Sequence, residues 1–339
     1  MIDLPKLPLM VEDAFTKCDS VLQKHQHPML SISGGSDSDI MLDMVCRLGY
    51  ADKCTFVFFD TGIEYRATKE HLKYLEDRYS IQIERITPKK PVPVAVHHEG
   101  LPFLTKYVSK MIGRLQKHGF QWEDEPFEIL LEKYPRCKSA LKWWCNAYEV
   151  QEGYTVSMFR IAKFPYLKEF LMKYPPEFPI SDKCCKFAKK DVSKTFLKQH
   201  PEIDLKVMGI RKAEGGIRAG NYKQCYYAQS EYPFYMPLFW FSDADKVAYE
   251  QTFDIVHSDC YTVYGMKRTG CAGCPFNSKF SKHLETLRQY EPQLYKAANN
   301  IFGKSYEYTL KYRAFKKEMQ AKERDRKKRA GQMSFFDED

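Results

Sequence analysis

The chain has 339 residues, of which 44% are hydrophobic and 15% aromatic, so it is long enough to bury a sizeable core. No stretch approaches the ~20 apolar residues of a membrane span, and the N-terminal residues lack the apolar segment of a signal peptide, so we predict a cytoplasmic protein without membrane contact. The net charge of +9 is mostly local, because residues 311–329 contain ten Lys or Arg and three Asp or Glu.

Residues 1–91 carry the pattern of the first part of an α/β core. Strands are predicted at 29–33, 54–59 and 81–86, and helices at 37–47 and 66–78. Strands that alternate with helices are typical of a parallel sheet with helices on both faces, which is a Rossmann-like fold. We predict that the sheet continues with a strand at 205–209, in a second part of the core at residues 181–280.

Two further regions are predicted to be helical. Residues 92–180 read as a mainly helical insertion, with helices at 104–118 and 126–133. Residues 281–339 read as a helical basic tail, in which apolar side chains recur at helical spacing; they are Tyr308, Tyr312, Phe315 and Met319. Ser242 followed by Asp245 predicts an N-terminal cap for a helix within the second part of the core.

A glycine-rich loop follows the first predicted strand and precedes an amphipathic helix. Its residues are Ser33, Gly34, Gly35, Ser36, Asp37 and Ser38. Glycines let a ligand approach the backbone, and the helix N-terminus offers N–H groups and the positive end of its dipole. The loop is neither a Walker A motif nor G-x-G-x-x-G, but its context predicts a site for nucleotide phosphates.

The chain resembles the phosphoadenosine-phosphosulfate reductase family of the PP-loop ATP pyrophosphatases in five motifs that occur in the family's order. The loop resembles S-G-G-x-D-S, and the residues after the second strand resemble D-T-G-x-E. The other three resemble G-I-R-x-x-E-S-x-x-R, P-I/L-x-x-W-S/T and G-C-x-x-C-P. In this sequence the four later motifs lie at Asp60–Glu64, Gly209–Arg218, Pro237–Ser242 and Gly270–Pro275.

The resemblance implies an adenine nucleotide α-hydrolase-like fold that binds ATP or a related nucleotide. The implied nucleotide-binding residues are those of the loop together with Asp60, Thr61, Gly62, Gly209 and Arg211. Asp37 would help to hold Mg²⁺, which prefers carboxylate and phosphate oxygen. Asp37, Arg211 and Arg218 are the implied catalytic residues, and the two guanidinium groups suit phosphate or sulfonyl oxygens.

The sequence departs from the family in three respects. The Pro237–Ser242 motif has one extra residue before the Ser. Ser36 stands where many members have Lys, so the loop lacks one charge that binds phosphate. Gly215 replaces the usual Ser of the arginine-containing motif.

Two cysteine pairs, Cys184–Cys185 and Cys271–Cys274, are separated by 85 residues. Adjacent cysteines suit one small tetrahedral ion poorly, because neighbouring side chains diverge. The pattern resembles the [4Fe–4S] site of adenylyl-sulfate reductases, so these four residues are predicted cluster ligands, with structural zinc or unligated thiols as alternatives. Basic residues flank both pairs, namely Lys183, Lys186, Lys267 and Arg268. We interpret Cys137 and Cys145 as buried thiols.

The family contains reductases and ATP pyrophosphatases. Sulfonucleotide reductases use a cysteine on a C-terminal tail, whereas this sequence has none after Cys274. A reductase would therefore need Cys225 or Cys260 in that role. We predict instead an ATP pyrophosphatase that adenylates a target in sulfur-transfer chemistry, similar to the enzymes of DNA phosphorothioation and tRNA thiolation, with a sulfur-donor protein as a further partner.

The tail adds two predictions about partners. Its basic helix predicts a nucleic-acid substrate, although a solvated helix face gives the same pattern. Residues Gln332–Phe336 resemble the peptide that docks on the bacterial sliding clamp. Two alternative functions remain, namely a reductase of adenylyl sulfate or its 3′-phosphate, and a non-catalytic component that binds nucleotide and DNA.

Overall fold

The structure is a computed structural model that describes residues 7–149, 159–215 and 220–334. Its strands are β1 Pro28–Ile32, β2 Thr55–Phe59, β3 Ile83–Ile86, β4 Leu205–Met208, β5 Tyr226–Tyr227 and β6 Phe234–Tyr235. The first nine α-helices are α1 Leu9–Gln23, α2 Ser36–Arg47, α3 Arg66–Tyr79, α4 Val92–Glu99, α5 Lys106–Lys117, α6 Phe127–Lys133, α7 Lys138–Trp144, α8 Leu167–Lys173 and α9 Val192–Gln199. The later helices are α10 Asp243–Thr252, α11 Asp259–Thr262, α12 Phe280–Tyr290 and α13 Pro292–Ser334.

The strands form one sheet of six in the order β3-β2-β1-β4-β6-β5. Strands β3, β2, β1, β4 and β6 are parallel to one another, and the edge strand β5 pairs antiparallel with β6. The register pairs Met29 with Thr55 on one side of β1 and Pro28 with Leu205 on the other. The chain moves outward from β1 to β3 and then returns to place β4 beside β1, so the order reverses between β1 and β4. This confirms the predicted Rossmann-like α/β fold.

The central strands β1 and β2 bury apolar side chains on both faces, as parallel strands covered by helices do. One face of β1 and β2 packs, through Leu30 and Phe56, into the main core, to which α1 and α2 contribute. The opposite face, with Met29 and Val57, packs against Phe196 of α9. Successive side chains of β1 and β2 therefore pack against helices on opposite faces of the sheet.

The chain divides into two compact units, and the sheet lies in the unit formed by residues 1–93, 185–272 and 282–295. The other unit comprises residues 94–184, 273–281 and 296–339 and has its own core. Trp143 and Trp144 are fully buried there. The predicted stripe of α13 supplies Tyr308, Tyr312 and Phe315 to the same core. The division into four segments that the sequence suggested stays a prediction.

Most predicted elements occur within two residues of their predicted bounds, including the capping box of Ser242 and Asp245 at the start of α10. Several elements were not predicted, among them α1, α9, α11, β5 and β6. Helix α1 begins after Pro8 with no side-chain cap, and β5 and β6 have two residues each. A π-helix at Lys186–Asp191, directly after Cys185, was also unforeseen. Over the described ranges, no helix is long and apolar enough to cross a membrane.

Candidate functional site

The glycine-rich loop lies where the strand order reverses. It connects the end of β1 to the start of α2, while Gly209 follows the adjacent strand β4. Ligands of open α/β sheets bind in the crevice at such a reversal, beyond the carboxyl ends of the strands. The fold thus brings together two motifs that are far apart in the sequence.

The loop is held by its own hydroxyl groups and by one distant tyrosine. Ser38 Oγ accepts a hydrogen bond of 3.0 Å from the Ser33 N–H. The N–H of Ser36 donates to the hydroxyl of Tyr261 at 3.1 Å. Gly34 has a φ of +64°, and a Cβ there would lie 2.8 Å from Thr68 Cγ2, so a larger residue would meet both strain and contact.

Asp37 is the centre of a charged cluster at the start of α2. Its Oδ1 accepts hydrogen bonds from Arg211 Nε at 2.9 Å and from Lys246 Nζ at 2.8 Å. Arg211 also donates from Nη1 to Asp243 Oδ1 at 2.9 Å. Burial alone would raise the pKa of Asp37, but the hydrogen bond and charge of Lys246 and the charge of Arg211 lower it overall. Asp37 is therefore a buried carboxylate held between two cations.

A cavity of about 480 Å³ opens over this cluster. It is lined by five of the six loop residues, by Gly209 and Arg211, and by the charged side chains of Glu64, Lys189, Glu214, Asp243, Lys246, Lys267 and Arg268. Phe58 and Phe59, at the end of β2, add apolar surface. A concave site with anion-binding backbone, several cations and an apolar wall is suited to a nucleotide.

Sequence reasoning assigned Lys267 and Arg268 to the cysteine site, but both side chains line this cavity. Arg268 is paired with Glu214 at 3.1 Å. Two further residues of the cavity, Lys246 and Tyr261, were not predicted from the sequence. Lys246 could have been found from the sequence, because it lies in the first turn of the helix that directly follows the P-I/L-x-x-W-S/T motif.

In α2, which follows the loop, the buried carboxylate of Asp39 lies close to two histidine side chains. His257 Nδ1 lies 2.8 Å from Asp39 Oδ2, and His257 Nε2 lies 2.8 Å from Glu250 Oε1. His71 Nε2 lies 3.0 Å from the same Asp39 oxygen. Two carboxylates on the two ring nitrogens favour the doubly protonated imidazolium. Burial lowers the pKa of His257, but the two carboxylates outweigh it and raise the pKa to about 9.

We expect His257 to make stability depend on pH. Its pKa is raised above the ordinary value of 6.5, so its contribution to the free energy of unfolding is complete below pH 6.5. The contribution is lost as the pH rises through 9. Denaturant unfolding between these values should show a steeper loss for the wild type than for His257→Gln. An exposed control, His98→Gln, should follow the wild type, and a His257→Gln deficit that is constant with pH would contradict this account.

Three predicted nucleotide-binding residues form a different arrangement. Asp60 Oδ1 accepts from the Gly62 N–H at 2.9 Å, and its Oδ2 lies 3.1 Å from Lys69 Nζ. The hydroxyl of Thr61 donates to Glu64 Oε1 at 2.5 Å. The described residues that line the cavity do not include four predicted ones, namely Gly34, Asp60, Thr61 and Gly62. Their place in nucleotide binding stays a prediction.

This arrangement reaches Cys271, whose Sγ lies 3.5 Å from Thr61 Oγ1. Burial raises the pKa of Cys271 and the nearby Cys185 raises it further, while Lys189 lowers it. Burial likewise raises the pKa of Glu64. Cys185 and Cys271, one cysteine of each pair, belong to the same unit as the cavity.

The metal prediction is not confirmed. In the part of the chain that the structure describes, no three His, Cys, Asp or Glu side chains are arranged to hold a metal ion. Cys137 is buried and Cys145 is partly buried, which agrees with their interpretation as thiols. Arg218 lies outside the described residues, and so do the side chains of Gln332–Phe336, so these two predictions are not addressed.

Comparison with known proteins adds one family and several solved structures. Residues 27–122 match the phosphoadenosine phosphosulfate reductase domain. No curated protein sequence matches the chain.

Similar solved structures include phosphoadenylyl-sulfate (PAPS) reductase from Candida auris in its phosphate complex, at 12% identity over 79% of this chain and 97% of that chain, with a TM-score of 0.40. Another is U34-tRNA thiolase NcsA from Methanococcus maripaludis with its [4Fe–4S] cluster, at 11% identity over 91% and 80% of the two chains, with a TM-score of 0.34. Likenesses this low carry no argument about function. The part of the chain that matches the phosphoadenosine phosphosulfate reductase domain, residues 27–122, contains the loop, the Asp60–Glu64 motif and the strands that hold them, in agreement with the resemblance found in the motifs.

Proposed function

We propose that the protein is an ATP pyrophosphatase that adenylates a nucleic-acid target as a step in sulfur transfer. The observation that carries the proposal is the cavity at the β1–β4 reversal, where Asp37 of the loop is hydrogen-bonded by Arg211 and Lys246. In the reaction an acceptor oxygen bonds to the α-phosphorus while the bond from that phosphorus to the β-phosphate oxygen breaks. Pyrophosphate leaves with that electron pair, and adenylation turns a poor leaving group into a good one.

Preorganised cations lower the barrier to such a reaction because they stabilise charge that moves onto the leaving group. Arg211 presents a guanidinium that matches phosphate oxygens, and Lys246 presents a point charge. Asp37 suits Mg²⁺, since magnesium in nucleotide sites is held by one or two carboxylates together with phosphates. A preformed cage of protein ligands is therefore not required.

We further propose that Cys184, Cys185, Cys271 and Cys274 hold a [4Fe–4S] cluster. Four thiolates match its ligand requirement, and Cys185 and Cys271 belong to the same compact unit as the cavity. When bound, the cluster supplies iron and sulfide for redox or sulfur chemistry. Zinc is the alternative, and anaerobic purification with iron, sulfide and zinc analysis separates the two. Iron and acid-labile sulfide in equal amounts are expected, and zinc without iron would contradict the cluster.

The nucleic-acid acceptor is supported by the basic segment of α13. Residues 324–329 are all exposed and contain five Lys or Arg and one Asp. Part of the charge of this region is neutralised within the helix, where Lys322 pairs with Glu318 at 2.6 Å and Lys327 with Glu323 at 2.9 Å. A sulfur-donor protein, a sliding clamp and a cytoplasmic location belong to the same proposal.

The acceptor is tested with ATP labelled at the α-phosphate. The holoprotein, purified anaerobically, is mixed with DNA or tRNA, and label on the nucleic acid is measured after rapid quenching. Label transfer to one of the two supports the proposal and names the acceptor. Pyrophosphate release with no label on either would overturn a nucleic-acid acceptor and leave another target.

The alternative of a sulfonucleotide reductase needs a cysteine that reaches the substrate. Cys225 is 5% exposed and Cys260 is fully buried, and neither lines the cavity. These positions favour the pyrophosphatase. Sulfite release from adenylyl sulfate or its 3′-phosphate with a thiol donor would establish the reductase instead. The non-catalytic alternative would be favoured if function were retained after Asp37→Ala and Ser33→Ala.

A further inference from the structure

The loop that should bind phosphates contains no basic residue of its own. Residues 33–38 are three serines, two glycines and one aspartate, with Ser36 where many members of the family have Lys. A loop of this kind binds phosphate through backbone N–H groups and the helix dipole. One of its N–H groups, that of Ser36, is occupied by the Tyr261 hydroxyl. A fixed cation close to position 36 would compensate for the missing charge.

Lys246 places an ammonium group at this position from another part of the chain. Its Nζ donates hydrogen bonds to the hydroxyl of Ser36 and to Asp37 Oδ1. Its side chain is only 16% exposed, and Glu250 is 3.7 Å away. The capping box of Ser242 and Asp245 fixes the first turn of α10 and thereby the position from which Lys246 extends.

We propose that Lys246 is the phosphate-binding lysine of this site and replaces the one that the loop lacks; the inference rests on the proposed function. In the structure, Lys246 and Arg211 share the charge of Asp37. When a polyphosphate enters, both cations exchange this carboxylate for phosphate oxygens, and Asp37 is released towards Mg²⁺. The exchange keeps every buried charge paired, since each cation that leaves Asp37 gains a phosphate.

The test compares phosphate-dependent binding in matched variants. Lys246→Met keeps the apolar stem and removes the charge, while Lys212→Met removes an exposed lysine that does not line the cavity. Calorimetry with a non-hydrolysable ATP analogue should show roughly 10- to 100-fold weaker binding for Lys246→Met, because hydrogen bonds to charged groups are strong. Adenosine, which has no phosphate, should bind the variant as it binds the wild type.

A variant in which the lysine is moved into the loop provides a second test of the inference. The double variant Ser36→Lys, Lys246→Met moves the charge to the position it has in many relatives and should regain most of the lost affinity for the analogue. Analogue binding by Lys246→Met that equals the wild type would overturn the inference, and so would an equal loss for analogue and adenosine. A wild type that binds neither the analogue nor ATP would instead overturn the proposed function.

Discussion

Replacement of Asp37 by Asn is expected to lower ATP-to-pyrophosphate turnover by about 100- to 1,000-fold, the effect of removing one charged group from a preorganised site. The change keeps the volume of the side chain but removes the charge that Arg211 and Lys246 surround and that Mg²⁺ requires. Pyrophosphate release at saturating ATP and Mg²⁺ measures the effect.

Asp243→Asn is the matched control, because it removes a carboxylate that pairs with the same guanidinium. The side chain of Asp243 is 86% exposed, so its ion pair with Arg211 contributes little. Turnover of this variant should remain within about threefold of the wild type. If the two variants lost turnover equally, the proposal that the charge of Asp37 is specifically required would be wrong.

Replacement of Gly209 by Ala is expected to destabilise the protein by about 1–3 kcal/mol, which is typical of a side chain forced into a packed site. A Cβ at this position would lie 2.8 Å from the backbone oxygen of Asp37 and 3.1 Å from Ser38 Cα. Backbone atoms cannot turn aside, so α2 would have to shift relative to β4 and the loop would move with it. Denaturant unfolding and ATP-analogue binding should both weaken.

Gly270 offers a control in the same cavity. It also lines the site, but a Cβ there would meet no atom within 4 Å. Gly270→Ala should therefore change the free energy of unfolding by less than about 0.5 kcal/mol. Equal stabilities of the two alanine variants would show that the close approach of Gly209 to α2 does not hold the loop.

The fold was predictable where local patterns are strong. The run from β1 through the loop into α2 combines an apolar strand, a glycine turn and an amphipathic helix, and each of these is a local signal. Strands β5 and β6 were missed because two residues each are too few to show a period. Helix α1 was missed because it lacks the side-chain cap that marks a helix start.

Only those residues of the site that belong to sequence motifs could be predicted. The family pattern singled out Asp37 and Arg211, and the structure joins them by a hydrogen bond. The contacts of Lys246 with Ser36 and of His257 with Asp39 span more than 200 positions of the chain. No periodicity or spacing encodes such pairs, because they arise only when the sheet order brings distant segments together.

The most direct test of the central claim asks which bond of ATP is broken. The holoprotein is incubated with Mg²⁺, the acceptor nucleic acid and ATP labelled at either the α- or the γ-phosphate, and the products are separated. The account predicts that the γ-label leaves as pyrophosphate while the α-label stays with the adenylyl group, in equal amounts. Release of the γ-label as inorganic phosphate with formation of ADP would contradict it.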